Sequence, residues 1–371
     1  MQIARIRRSR HRLPLDPAFP PAWDSRPRTH FDVDLVRVET DDGLEGVAAG
    51  DAMPGFAGHE ELFVGRDPRE LGRHLRIVDN LSFHYGRCWP LEAALWDLYG
   101  KILDEPVWRL LGGAGGGRLA CYASCGTLRD VPGTVAAARA IRDAGFPALK
   151  LRFHRADWQD DLEVVEAVRS EVGASMAILV DCNQAWRMPW DTAEPWTFKQ
   201  ALAVARELEA LDVFWMEEPL HRGDLDGMAR LRDAVDLRIA GAEMARELHD
   251  LTQLIDRGCL DVLQPDAVLC GGIGGLARVF RTARDRGLEI APHTWGNGLG
   301  LLANAHLAAG VGGCPYLEYP YDPPEWTPVR RDFPLQAPVL PDGHGMLELG
   351  DAPGLGIQLD ETRLQETEVR P

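Results

Sequence analysis

The sequence is short of the features that mark membrane, secreted and nucleic-acid-binding chains. No apolar run reaches the ~18 residues that a spanning helix requires. The opening MQIARIRRSRHRLPL has no apolar centre of the kind a secretory leader carries. Positive charge is in deficit. Over 371 residues, 40 Lys and Arg against 57 Asp and Glu leave a net charge of −17, which argues against a nucleic-acid footprint or a basic membrane patch. The seven cysteines (Cys88, Cys121, Cys125, Cys182, Cys259, Cys270 and Cys314) form no CxxC pair and no dense framework. An odd set of scattered thiols implies reduced cysteines, and the cytoplasm is the expected location. Neither GxGxxG nor GxxxxGK(S/T) follows the first strand candidate of the β/α region, so nothing marks a nucleotide site there. The expected partner is a small molecule.

What the chain does have is a change of rhythm near residue 118. Before it, FDVDLVRVET alternates like a half-buried strand, DDG at 41–43 turns, and LEGVAAG continues as the second arm of a hairpin. Residues 12–30 are proline-rich and without period, which predicts a long loop. Residues 91–113 read as a helix, a turn at DEP, a short second helix and a glycine stop. The glycines of GGAGGG at 112–117 are the best boundary. After them, eight apolar runs (119–124, 148–152, 177–181, 212–216, 238–242, 261–265, 288–292 and 315–318) alternate with amphipathic stretches of helical period. Eight strands alternating with helices predict a parallel sheet closed into an α/β barrel, with an open doubly wound sheet as the alternative. The expected organisation is an α+β capping domain over 1–115, the barrel over 116–330, and a tail over 331–371 that returns to the cap.

Acids fall at the ends of successive strand candidates: Asp181 in VDCNQ, Glu217 and Glu218 in EEP, Glu243 in GAE. Strand C-termini converge on one face of a barrel, so these carboxylates would meet there. Three like charges together call for a hard divalent cation, and Mg²⁺ suits a site of few carboxylates. The next strand ends present Asp266 in QPD and His293 in PHTWG. An aspartate that accepts from one imidazole nitrogen orients the other as a general base. Glu318 in LEYP ends the series. Lys150 and Arg152 lie two apart in ALKLR, so they share one strand face, where two cations imply an anionic ligand.

Taken in order along nearly the whole chain, AALWDLYGK, PVWRLLGG, K-x-R, VDCNQ, EEP, GAE, QPD, PHTWG and LEYP resemble the enolase superfamily and, within it, the mandelate racemase-like group. The resemblance implies a modified TIM barrel of (β/α)7β type, one Mg²⁺ per subunit, and a homo-oligomer. It implies Asp181, Glu217 and Glu243 as metal ligands, with Glu218 structural, and Asn183 facing substrate or metal. It further implies the Asp266–His293 dyad as the base, Glu318 hydrogen-bonding the intermediate, and Lys150 holding the substrate carboxylate. Residues 266–275 hold no lysine, which favours the racemase-like branch over the muconate lactonising group.

The chemistry that the resemblance implies is removal of a proton α to a carboxylate. A racemase needs a base on each face of the α-carbon. Arginine keeps its proton to pH ~12 and is a poor base, so Arg152 opposite His293 disfavours a two-base reaction. Dehydration of a sugar acid to a 2-keto-3-deoxy acid, with His293 as base and then acid, is therefore expected. A sugar-lactone cycloisomerase, or a racemase or epimerase of a 2-hydroxy acid, is the alternative. His154 would revive the second base if it faced the site. Trp190, Trp196, Trp23, Arg26, Arg28 and His30 are candidates to shape the pocket.

Overall fold

A computed structural model describes residues 1–114 and 116–369. The first unit is an antiparallel sheet of β1 (Ile3–Phe19), β2 (Arg28–Thr40) and β3 (Glu45–Gly50), in that order. The hairpin between β2 and β3 turns at Asp41–Gly43, where the Thr40 N–H reaches the Leu44 carbonyl at 2.9 Å. Gly43 takes φ +90°, a conformation that costs other residues dearly.

The loop expected over 12–30 is corrected here: residues 12–19 belong to β1, and only 20–27 connect. β1 is an edge strand with a single neighbour, so Pro14 and Pro17 cost it few ladder bonds. Its arginines also face acids across the pair. Arg10 grips Asp34 at 2.9 and 3.0 Å, and Arg12 grips Asp32 at 2.6 and 2.7 Å. Charge complementarity between strands supplies the pairing that apolar alternation does not signal.

The second sheet carries eight parallel strands: β4 (Arg118–Ser124), β5 (Ala148–Arg152), β6 (Ala177–Asp181), β7 (Trp215–Glu217), β8 (Arg238–Gly241), β9 (Val262–Leu263), β10 (Glu289–Ile290) and β11 (Leu317–Pro320). Each pairs with its neighbour in sequence from β4 to β10, and β11 pairs with β4. The β10–β11 seam is stitched by single bonds, Ile290 N–H to Gly313 O at 3.2 Å and Thr294 Oγ1 to Glu318 O at 2.8 Å. The sheet therefore curls into the α/β barrel that the alternation of strands and helices predicts, in the modified TIM form that the resemblance implies. Tyr122, Ala148, Leu179, Trp215, Ala240, Val262 and Ala291 form one buried cluster. They fill the barrel as a layer, one side chain from each of seven successive strands or strand ends.

After the barrel, β12 (Met346–Glu348) adds antiparallel to β4. The chain then runs back to the first unit, where the Leu355 N–H meets Asp97 of the helix Trp89–Leu103 at 2.7 Å and the Leu364 carbonyl meets His11 Nδ1 of β1 at 2.9 Å. The boundary placed at residue 115 falls on a position outside the described residues, as do 370 and 371. All seven cysteines are free. Among the described residues no helix is long and apolar enough to cross a membrane.

Candidate active site

The barrel layer locates the site by simple alternation. Side chains two residues further along a strand point the same way. Lys150 follows Ala148, Asp181 follows Leu179, Glu217 follows Trp215 and His293 follows Ala291, so all four project inward one step above the layer. Glu318, on β11, reaches the same level.

These groups are buried, and the structure brings them into contact. Lys150 Nζ lies 2.8 and 3.0 Å from the two oxygens of Glu217, 2.8 Å from Glu318 Oε1 and 3.8 Å from Asp181. Arg152 donates from Nη1 to Asp181 and from Nε to the Cys125 carbonyl at 2.9 Å. Its guanidinium lies over the rings of Trp23 and Trp295, at 4.8 and 5.8 Å. Burial alone would lower the pKa of Lys150, but Glu217 and Glu318 outweigh it and hold the ammonium charged well above its usual range. Burial is also the largest single influence on Arg152, and Asp181, Glu217, Glu243 and Glu318 together outweigh it.

Asp181, Glu217 and Glu243 each offer one oxygen, and these atoms lie within 4.8 Å of one another. Burial raises the pKa of Asp181 and of Glu217, although Arg152 and Lys150 oppose it. Buried hard oxygen donors that are costly to keep charged fit a divalent cation. Trp186 Nε1 donates to Glu243 at 2.8 Å, and Gln264 Nε2 to Glu217 at 2.9 Å. The neighbouring Glu218 is buried with a positive φ of 49°, and its carboxyl is pushed far up by burial and then by Glu243. It is no part of the triad.

His293 Nδ1 sits 3.0 Å from Asp266 Oδ2, and its Nε2 is 3.8 Å from Glu243. Burial lowers the imidazole pKa, but Glu243, Glu318 and Asp266 together push it up to about 9. Asn304 Nδ2 holds the other Asp266 oxygen at 2.8 Å. Glu318 accepts from Ser124 Oγ at 2.8 Å, from the Thr294 N–H at 2.7 Å, and from Lys150. Burial would raise its pKa, yet Lys150, His293 and Arg152 bring it down to about 2. All three of its contacts are donors, so Glu318 serves as an acceptor in this arrangement.

Above this floor lies a cavity of about 310 Å³, within the range of small-ligand pockets. Arg152, Asn183, Trp186, Glu243 and His293 form its barrel side. Phe19, Trp23, Trp295 and Trp326 form an aromatic wall, with Phe19 and Trp295 stacked at 5.7 Å. Asn183, at φ 49°, has both side-chain polar atoms buried without partners. Of the sequence candidates for the pocket wall, Trp23 and Arg28 line it. Arg26 instead stacks 3.9 Å from Trp190, whose Nε1 donates to Asp24 at 3.1 Å. Trp196 packs on Phe153, and His30 is exposed beside Asp32. His154 lies just past β5, half-buried, and is not among the cavity-lining side chains. Burial and then Arg187 lower its pKa. Sequence reasoning passed over Trp186, Gln264 and Asn304, as well as Asp51 and Arg87, which line the cavity from the cap.

Comparison with known proteins agrees with this geometry. Residues 133–363 match the family model described as enolase C-terminal domain-like, more than half of the chain. The chain belongs to the enolase C-terminal domain-like family. As a member of that family it matches from the first barrel helix, Val131–Asp143, to the tail helix, Glu361–Thr367. It is 28% identical over 353 residues to a D-galactarolactone cycloisomerase of Agrobacterium fabrum, covering 90% of each chain. It is 27% identical to an L-talarate/galactarate dehydratase of Salmonella typhimurium, covering 93% of this chain and 84% of that one. Among solved structures, a racemase from Streptomyces coelicolor A3(2) with bound magnesium superposes with a TM-score of 0.85 at 25% identity, covering 99% of this chain and 100% of that one. The relatives are enzymes of several reaction types on one scaffold.

Proposed function

We propose that this chain dehydrates a sugar acid to a 2-keto-3-deoxy acid, starting with removal of the proton α to the carboxylate. The observation that carries the reading is an asymmetry. His293 borders the cavity with Asp266 behind it, whereas Arg152 is the strand cation facing the same space, engaged with Asp181 and unable to exchange a proton at neutral pH. Among the described residues no second histidine and no lysine lines the cavity. One base on one face suits elimination better than racemisation.

Asp181, Glu217 and Glu243 would hold Mg²⁺, which supplies fixed positive charge against the dianion formed when the α-proton leaves. His293 takes that proton on Nε2 while Asp266 keeps the Nδ1 proton in place. The imidazolium then returns a proton to the β-hydroxyl as the Cβ–O bond breaks, and water leaves. The resulting enol tautomerises to the 2-keto acid. Lys150 screens the carboxylate end from below, and Asn183, with its unpaired amide, is placed to bind a substrate hydroxyl.

Cycloisomerisation of a sugar lactone needs the same single base, and a cycloisomerase is among the relatives. The test is incubation with sugar acids and their lactones in Mg²⁺ buffer, reading 2-keto-acid formation and, in D₂O, exchange of the α-proton. Keto acid formed from an open-chain acid supports the dehydratase. Lactone consumed without keto acid assigns the isomerase, and no exchange with any acid removes the proposal.

A further inference from the structure

The cavity has two chemically different ends. The barrel supplies the carboxylate cluster and the histidine. The cap supplies Asp51 just after β3, Arg28 at the start of β2, and Arg87 just before the helix Trp89–Leu103. Among the described residues the Arg28 side chain has no hydrogen bond or ion pair; its guanidinium lies 5.9 Å from the Trp23 ring, with Asp24 as the acid that favours its charge. The residue is solvent-exposed. Arg87 is tied by Nη1 alone, at 3.2 Å from Asp51. Its Nε and Nη2 are buried and have no partner.

Nε and Nη2 form the side-on edge of a guanidinium, which matches a carboxylate with two parallel bonds. The same protein uses that edge at Arg10–Asp34 and Arg12–Asp32. At Arg87 the edge is left empty. Buried donors without acceptors are costly, so an unfilled pair bordering a ligand cavity points to a partner that arrives with the ligand. Asp51 contacts Arg87 alone, while Arg28 feels the charge of Asp24 without a direct ion pair to it.

We propose that the substrate carries a second carboxylate at the end remote from the reacting carbon, received by Arg28 and by the side-on edge of Arg87. The substrate class is then an aldaric acid, a sugar diacid, rather than an aldonic acid. Arg87, held by a single contact, turns its free edge toward the cavity it borders when the diacid enters. This rests on the reading above that the cavity takes a sugar acid.

The experiment compares galactarate and glucarate with galactonate and gluconate in Mg²⁺ buffer, by kcat/KM and by calorimetric titration. A charge-assisted pair in a partly desolvated site gives an expected preference of about tenfold to a hundredfold for the better diacid over its monoacid. Arg87→Gln and Arg28→Gln should each shrink that diacid-to-monoacid ratio, by about tenfold or more for a lost charged hydrogen bond. Arg28 is solvent-accessible, so its variant should fold even if the Arg87 variant does not. Equal handling of diacid and monoacid by the wild type, or a ratio unmoved in a folded variant, overturns the proposal. If no acid turns over or exchanges its α-proton, the dehydratase reading fails alone. The titration then decides: tighter binding of a diacid upholds the distal site, while equal or absent binding of all four acids removes it.

Discussion

Asp266 Oδ2 lies 3.0 Å from His293 Nδ1, and Asp266 is itself pinned through its other oxygen by Asn304 Nδ2 at 2.8 Å and the Val268 N–H at 2.9 Å. The imidazole is therefore fixed in tautomer and direction, with Nε2 left for the cavity. His293→Asn should lower α-proton exchange by about 10²–10⁴, the usual worth of a positioned acid–base group. Asn304→Ala should lower kcat by roughly tenfold with KM little changed, because it loosens the base without touching substrate. The two arms are read by NMR in D₂O and by steady-state kinetics. A variant at 293 that still exchanges the proton at the wild-type rate sinks the one-base assignment.

The second relationship is a competition. Lys150 and a divalent cation are alternative partners for Glu217, since the ammonium already sits within 3.0 Å of both its oxygens. Lys150→Met strands Glu217 and Glu318 as buried charges, which costs about 3–5 kcal/mol when one partner of a buried pair is removed. Its melting temperature in EDTA should fall accordingly. Mg²⁺ should then raise the melting temperature of Lys150→Met by more than it raises that of the wild type, because binding to the folded state adds stability by mass action. A smaller Mg²⁺ shift in the variant would contradict the competition. Asp181→Asn, which removes a triad oxygen, should lose most of the Mg²⁺ shift.

The eight strands were legible because the β/α period is long and each apolar run ends in a residue of unusual chemistry. The alternation that places Lys150 above Ala148 and Asp181 above Leu179 is a local rule, so sequence alone puts these side chains on one face. Contacts between distant segments carry no such local mark. Asn304 reaches Asp266 from an apolar helix whose one other polar side chain is His306, and nothing in that run names its distant partner. Arg87 and Asp51 come to the cavity only through the way the cap sits on the barrel mouth. β1 was misread because prolines on an edge strand look like loop, and its signal lay in charge complementarity with β2, which needs the register to be seen. The acceptor role of Glu318 was hidden for a similar reason: its three donors come from β4, β5 and the segment after β10.

The arginine ladder of the first sheet offers a contrast in magnitude. Arg10–Asp34 and Arg12–Asp32 have good bidentate geometry, but both arginines are more than two-fifths exposed. A double-mutant cycle on Arg10–Asp34 should give about 0.2–1 kcal/mol, and one on Arg12–Asp32 only a weak coupling. Both couplings should shrink toward zero in 1 M NaCl, where the screening length falls to about 3 Å. A coupling that survives high salt would mean the pairs act by packing rather than charge.

Glu92 ties the cap to the barrel, and its titration gives a signed prediction. From the helix Trp89–Leu103 it accepts the Ile273 N–H at 2.8 Å and the Gly274 N–H at 2.9 Å, at the start of the barrel helix Gly272–Asp285. Trp96 Nε1 is a third donor at 2.8 Å. Burial nevertheless dominates and pushes the carboxyl up to about 7. The folded state therefore binds this proton more tightly than the unfolded chain does, where glutamate titrates near 4.3. Its stabilising contribution is full below about pH 4.3, declines as pH rises, and is gone above about pH 7. Unfolding by urea across this window should show the decline in the wild type, and Glu92→Gln should flatten it. Gly272→Ala tests the same joint by sterics: an added Cβ would lie 2.5 Å from the Glu92 carboxyl carbon, on a backbone at φ +67°. That overlap and strain should cost at least ~1–3 kcal/mol, and less in Glu92→Ala, where the obstructing carboxylate is gone. If the glycine variant is equally destabilising with and without the Glu92 side chain, backbone strain alone accounts for the cost, and the carboxylate is not what demands glycine there.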